Sequence, residues 1–208
     1  MKLTNHIKII GLMLLSLVTS QYSNAQFLGH RLNSDELGPK GNILVYGSLD
    51  YSKTNTPKGS HSNFSTSPGA GIPIGVGYFI NNNDLIGVNY AFSQDSTNGK
   101  QTQHQNEFGI WYSPSVMLGS YFLLTAQVDA HYVWGEAQYQ NYTGYRLRAY
   151  PMLGILLGNG WALKFKFGEL SLLSIKNNEG WTNDKVAGLS GATFGTGISK
   201  TFNLRKNK

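Results

Sequence analysis

From Phe122 to Trp134 the chain alternates between two kinds of residue. One parity reads Phe122, Leu124, Ala126, Val128, Ala130, Tyr132, Trp134, and the other reads Leu123, Thr125, Gln127, Asp129, His131, Val133. A period of two belongs to an extended strand, whose successive side chains point to opposite faces. Wound at about 3.6 residues per turn, the same residues would scatter round the axis. The segment therefore predicts a strand with one wholly apolar face and one mostly polar face.

Seven further segments alternate in the same way. Their apolar parities are Ile43, Val45, Leu49, Tyr51; Ile72, Ile74, Val76, Tyr78, Ile80; Ile86, Val88, Tyr90, Phe92; Phe108, Ile110, Tyr112, Val116; Tyr145, Leu147, Ala149, Leu153, Ile155; Trp161, Leu163, Phe165, Phe167; and Ala192, Phe194, Ile198, Phe202. Segments of about ten residues match the span a tilted strand needs to cross a bilayer. Gly accounts for 25 residues and charged residues for only 13%, against a usual 25% or so. The fold class expected is all-β: an eight-stranded antiparallel transmembrane β-barrel, built as an up-and-down meander over residues 41–203.

The connections alternate in length. Residues 53–67, 94–106, 136–143 and 177–188 read as long polar loops. Asn81 to Asp84, Leu118-Gly119-Ser120 and Gly158-Asn159-Gly160 read as tight turns, since Gly and Asn tolerate positive φ. Outer-membrane barrels pair short periplasmic turns with long external loops. Outward aromatics fall into two belts. Tyr51, Phe92, Phe108, Trp134 and Tyr145 lie at the loop ends, and Tyr78, Phe122, Trp161 and Phe202 at the turn ends, as rings do at the two headgroup layers.

The opposite parity would face the interior. It mixes Gly75, Gly77, Gly87, Gly109, Gly154, Gly168, Gly195 and Gly197 with Phe79, Trp111 and Tyr150, small beside large, as a narrow lumen requires. It also holds Asp50, Asp129, His131, Arg146, Arg148, Lys164 and Lys166. Buried charges persist only when paired. A lumenal network joining Asp129 and His131 to Arg146 and Arg148 is therefore expected. Pro73, Pro114 and Pro151 interrupt strand patterns and predict bulges or rim positions. Blurred parity at Glu169 and Leu170 predicts a bulge near Gly168.

The start of the chain reads as an export signal over residues 1–25. Lys2 and Lys8 precede an apolar run from Ile9 to Val18, and Ser23-Asn24-Ala25 precedes a cleavage site between Ala25 and Gln26. The run is shorter than the ~20 residues of a membrane helix. Residues 26–40 read as a periplasmic lead-in and 204–208 as a basic tail. With no Cys, stability must come from packing and hydrogen bonding. The formal net charge is +6, scattered rather than gathered into the stripe that nucleic-acid binding requires.

Residues 67–79 (Ser-Pro-Gly-Ala-Gly-Ile-Pro-Ile-Gly-Val-Gly-Tyr-Phe) followed by Leu85-Ile86-Gly87-Val88-Asn89-Tyr90 resemble the second hairpin of OmpA/OmpX-like outer-membrane barrels, also called porin-family or outer-membrane β-barrel domain proteins. Trp111-Tyr112-Ser113-Pro114, Trp161-Ala162-Leu163 and the ending from Phe194 to Phe202 fit the same pattern. The resemblance implies location in the outer membrane of a Gram-negative cell. It implies outer-membrane lipid and lipopolysaccharide as surroundings, and barrel-assembly and periplasmic chaperone machinery as partners. Phe202 matches the family's C-terminal aromatic assembly signal. The long loops would be the place for a surface ligand.

The chemistry-bearing motifs are sparse. His61 is followed by Ser62 in a polar loop, His131 faces Asp129 as half of a triad, and His104 lies near Glu107. No Gly-rich phosphate loop, paired-carboxylate motif or metal-ligand cluster stands out. The expected protein is an integral outer-membrane barrel with a structural, surface-interaction or narrow-pore role, is not an enzyme and carries no cofactor. A lipid A-modifying barrel enzyme and a soluble lipocalin-like binding barrel are the competing readings.

Overall fold

The computed structural model describes residues 38–66, 72–137, 139–189 and 194–204. The leader with Ala25 and Gln26, the lead-in up to Leu37 and the tail from Arg205 lie outside the described residues.

The protein is all-β. Twelve strands run in chain order: β1 (Ile43–Gly47), β2 (Asp50–Thr56), β3 (Gly59–Ser65), β4 (Ile74–Phe79), β5 (Asp84–Thr97), β6 (Lys100–Leu118), β7 (Phe122–Ala137), β8 (Gln140–Gly158), β9 (Trp161–Phe167), β10 (Glu169–Asn177), β11 (Gly180–Gly188) and β12 (Phe194–Phe202). Every pairing is antiparallel. β1 pairs β4, and the ladder passes through β5, β6, β7, β8, β9 and β12 before β12 pairs β1 again. Eight strands therefore form a closed hydrogen-bonded ring.

The eight expected segments become twelve strands because the first and the seventh break, giving β1 with β2 and β9 with β10, and because β3 and β11 form in stretches read as loops. Gly168 takes φ +103° between β9 and β10, a backbone state that favours glycine. Here Tyr150 and Pro151 on β8 face Phe167, Gly168 and Glu169, between the pairs Ala149–Leu170 and Met152–Lys166. The missing Pro151 N–H thus falls at the bulge. Pro73 immediately precedes β4, and Pro114 lies opposite Asp84, the first residue of β5. All three prolines sit where a ladder starts, stops or slips.

The long connections are a correction. Residues 53–67, 94–106, 136–143 and 177–188 are largely strand rather than loop. β2 pairs β3, β3 pairs β5, and β5 to β8 run on beyond the ring. On the other side β8 pairs β10, and β10 pairs β11. Turns as tight as Asn98-Gly99, both at positive φ, close these hairpins. Their Ser, Thr, Gln and Asn residues support strand pairing in water without an apolar face, so no hydrophobic alternation announces them. Among the described residues, the outer edges of β2 and β11 carry no partner strand.

Within the ring, burial follows parity. Val45, Val76, Tyr78, Ile86, Val88, Phe108, Ile110, Tyr132, Leu147 and Ile198 are exposed, while Tyr46, Trp111, Gln127, Asp129, His131, Arg148 and Tyr150 are buried. Ile72 departs from its expected outward parity. It is fully buried, and it exchanges hydrogen bonds with Ser48 through its backbone N–H and carbonyl. At the break before β4 the chain no longer obeys the pleat, and Ile72 turns inward. The inward glycines make room for large rings. A Cβ at Gly87 would come 2.7 Å from the Trp111 indole, and one at Gly75 would come 2.6 Å from the Tyr46 ring.

Candidate functional site

The interior of the ring is where charge is concentrated. β7 and β8 are in direct register there, with Asp129 opposite Arg148 and His131 opposite Arg146. All four side chains share the inward parity and are buried. Arg148 donates through Nε to Asp129 Oδ1 at 3.0 Å and through its Nη2 to Oδ2 at 3.2 Å. This two-pronged match uses the planar fork of the guanidinium.

Arg146 takes a different partner. Its Nη2 lies 3.3 Å from Glu107 Oε1. His131 bridges the two carboxylates, with Nδ1 2.9 Å from Glu107 Oε2 and Nε2 3.5 Å from Asp129 Oδ2. Gln105 donates to Glu107 at 2.7 Å, and Tyr142 donates to Gln105 at 3.0 Å. Two arginines and one histidine thus surround two carboxylates.

A second tier lies beside it. Tyr150 donates to Asp129 Oδ2 at 3.3 Å. The Tyr46 hydroxyl accepts from Asn89 and from Gln127, each at 3.2 Å. Tyr46 also packs edge-on against Trp111, with centroids 5.4 Å apart. Lys166 pairs with Glu169 at 2.6 Å. The Gly168 bulge puts both ends of this pair on the interior side, which plain alternation would not do.

The structure gathers Asp129, His131, Arg146, Arg148 and Lys166 into one polar core. Two expected members stand apart. Asp50 is exposed on β2, opposite Ser65 of β3, because the break at Ser48-Leu49 ends β1 before the inward parity reaches it. Lys164 is inside the ring but outside the network. Its ammonium lies 4.8 Å from the centroid of the Tyr46 ring.

Glu107 is the central residue that the alternation argument missed. It shares parity with Gly109, and Gly109 lies directly opposite His131. Extending the cross-strand comparison from the fifth segment back to the fourth would have found it. Glu169 was hidden by the bulge. His104 and Glu107, close in sequence, face opposite sides of β6, and His104 instead meets Gln101 at 2.7 Å.

The chemistry of this arrangement is ion pairing. Among the described residues, His131 meets carboxylates at both ring nitrogens, and no Ser or Thr hydroxyl is hydrogen-bonded to either. Among the described residues, no group of three His, Asp or Glu side chains is arranged to hold a metal ion. Each guanidinium or ammonium of this core meets a carboxylate, while Asn89 Oδ1, Gln127 Oε1, Arg146 Nε and Arg148 Nη1 have no hydrogen-bond partner among the described residues. Phe202 closes the described part of β12 opposite Ile43 and is half-exposed. Neither a known protein family, nor a curated protein, nor a solved structure matches this chain.

Proposed function

We propose that the chain is an integral outer-membrane β-barrel of the OmpA/OmpX-like kind. The eight-strand ring would be the barrel, and its role would be structural or surface-interacting rather than catalytic. The observation that carries this reading is the inversion of burial. Large apolar side chains stand on the exposed face of the ring, while Asp129, Glu107, Arg146, Arg148 and Lys166 are buried inside it. A water-soluble barrel would put its apolar side in. In hydrocarbon the reverse is stable, because lipid covers the apolar face and closure leaves no unpaired backbone edge.

The aromatic groups fit two interfacial belts. Tyr132 stacks with Trp134 at 5.8 Å and meets Tyr145 at 5.7 Å at the hairpin end. Tyr78, Phe122, Trp161 and Phe202 are exposed at the turn end. The polar hairpins beyond the ring would project from the cell surface and carry any contact with lipopolysaccharide or a surface ligand. Phe202 would serve assembly, and export would use the leader ending at Ala25.

The interior bears on the pore reading. Eight strands leave a lumen about one side chain wide, and the ion-pair core crosses it. The barrel is therefore a closed one, and planar-bilayer recordings are expected to show no conductance steps.

Cell fractionation with gel migration tests the proposal. The protein is expected in the outer membrane, migrating faster unheated than boiled. Recovery in the soluble periplasmic fraction, with one mobility under both conditions, would end the reading in favour of a soluble barrel.

A further inference from the structure

Below the ion-pair core, at the short-turn end, the ring encloses a cavity of about 460 Å³. That volume falls within the ~300–1,000 Å³ range of small-molecule sites. Its wall is mainly apolar, with Leu44, Phe79, Leu85, Met117 and Met152 contributing. The turn residues Asn82, Asn83, Gly158 and Gly160 also line it, so it reaches the short-turn mouth.

One charged group stands on this wall. Lys164 lies between Gly154 of β8 and Gly197 of β12 in the two ladders. Gly154 lines the cavity and leaves space there for want of a side chain, whereas the space beside Gly197 is taken by Ile72. Every other lysine or arginine inside the ring has a carboxylate: Arg148 has Asp129, Arg146 has Glu107 and Lys166 has Glu169. Lys164 has none among the described residues, only the Tyr46 ring face beneath its ammonium. Three more lining residues hold polar atoms with no hydrogen-bond partner among the described residues: the Trp111 Nε1 donor, the Thr125 hydroxyl and the Asn42 Oδ1 acceptor, of which Trp111 and Thr125 are more than nine-tenths buried.

Lys164 is half-buried, and a cation drawn partly out of water with no counter-charge is costly. A chain that pairs its other interior cations leaves this one for something else. A multiply charged anion would call for more than one cation, and a purely apolar ligand would leave Lys164 uncompensated. We infer that this cavity is a binding site for a single-chain, singly charged anionic amphiphile, such as a fatty carboxylate, whose head group pairs with Lys164 while its tail lies against the apolar wall. Binding itself requires only the ring. That the mouth opens to the periplasm rests on the outer-membrane reading.

The experiment is an NMR titration of the full chain, folded in uncharged maltoside micelles, following the indole N–H resonances. Trp111→Phe identifies the interior one. Decanoate is expected to shift the Trp111 resonance saturably. Decanol and acetate, each lacking one half of the ligand, are expected to bind about tenfold more weakly or worse, the scale of one charge-assisted contact. Lys164→Met is expected to bring decanoate down to the level of decanol. Gly154→Leu, which fills the cavity, is expected to abolish both responses. A Cβ there meets only Leu123 at ordinary contact distance, 3.4 Å.

An unchanged Trp111 resonance at saturating decanoate would overturn the inference. So would equal responses to decanoate and decanol in wild type and Lys164→Met, because that pattern is partition into the micelle. Failure of the chain to fold in micelles at all would count against the membrane reading instead, and the same titration would then be run in buffer.

Discussion

The closed ring and the hairpin sheet above it share strands β5 to β8, yet they obey different rules. Along β6, the stretch from Glu107 to Ser113 alternates between buried and exposed at every residue, with Phe108, Ile110 and Tyr112 out and Glu107, Gly109, Trp111 and Ser113 in. The first four residues of the same strand, Lys100 to Gln103, are exposed on both faces. β2 is exposed along its whole length. The difference teaches that strand pairing and side-chain alternation are separable. Backbone hydrogen bonds continue through both regions, but two-faced burial is imposed only where there is an interior to fill. Among the described residues, the hairpin sheet also keeps open edges. β2 carries Lys53 and β11 carries Asp184 and Lys185, charges of the kind that discourage edge-to-edge association.

The sharpest break between the regions should come from an interior charge. Asp129→Asn removes one carboxylate from between Arg148 and His131 and leaves a buried guanidinium uncompensated. The expected loss is about 3–5 kcal/mol, read as a lower urea midpoint for unfolding from micelles. Glu107→Gln should behave similarly, since Arg146 and His131 both depend on it. If both variants unfold like wild type, the polar core does not hold the ring together.

The next effect concerns the outer face. On the outer-membrane reading Ile110, 66% exposed, lies in hydrocarbon. Ile110→Arg should then cost about 2–4 kcal/mol in a bilayer. The equivalent change in the hairpin sheet, Thr102→Arg, should cost almost nothing, because both faces meet water. Equal tolerance at the two positions would remove the distinction between a lipid-facing ring and a watery sheet.

What the sequence made legible follows the same division. The ring strands were readable because each sets apolar side chains on its exposed face and a mixture of small, large and polar ones on its interior face. The ladder partners Asp129–Arg148 were readable because β7 and β8 are consecutive and their parities are unambiguous. The hairpin sheet was read as loop because Ser, Thr, Asn and Gln on both faces give no period to detect. Asp50 and Ile72 were misplaced for a single reason. Parity cannot be carried across a break between strands, and Ser48-Leu49 and Pro73 mark two of them: beyond the first both faces are exposed, and at the second Ile72 turns inward. Lys164 was correctly placed inside but wrongly grouped. Parity gives the face of a residue and not its height, and Lys164 lies nearer the short-turn end than the carboxylates do.

An intermediate effect is expected from the aromatic cluster at the junction of the two regions. Tyr132 touches both Trp134 and Tyr145. Tyr132→Ala should cost about 1 kcal/mol through lost cross-strand ring contacts. The loss should be larger in bilayers than in short-chain detergent if these rings anchor the ring at a headgroup layer.

The smallest effect should come from repeating the first substitution in the other region. Asp95 lies in the hairpin sheet, where its Oδ1 accepts from Asn63 Nδ2 at 2.9 Å and stands 3.7 Å from His61 Nε2. The chemistry resembles that around Asp129: a carboxylate, a histidine and a donor from a neighbouring strand. The setting differs, because the His61 side chain is 57% exposed whereas those of Asp129 and His131 are fully buried. Asp95→Asn keeps an acceptor for Asn63, and water can solvate His61. The change in stability should stay within about 0.5 kcal/mol, with the same urea midpoint as wild type within error. A loss at Asp95 as large as the one at Asp129 would mean that the hairpin sheet and the ring unfold as one unit held by the same interactions. The contrast between a charge-paired interior and a solvated sheet would then no longer describe the molecule.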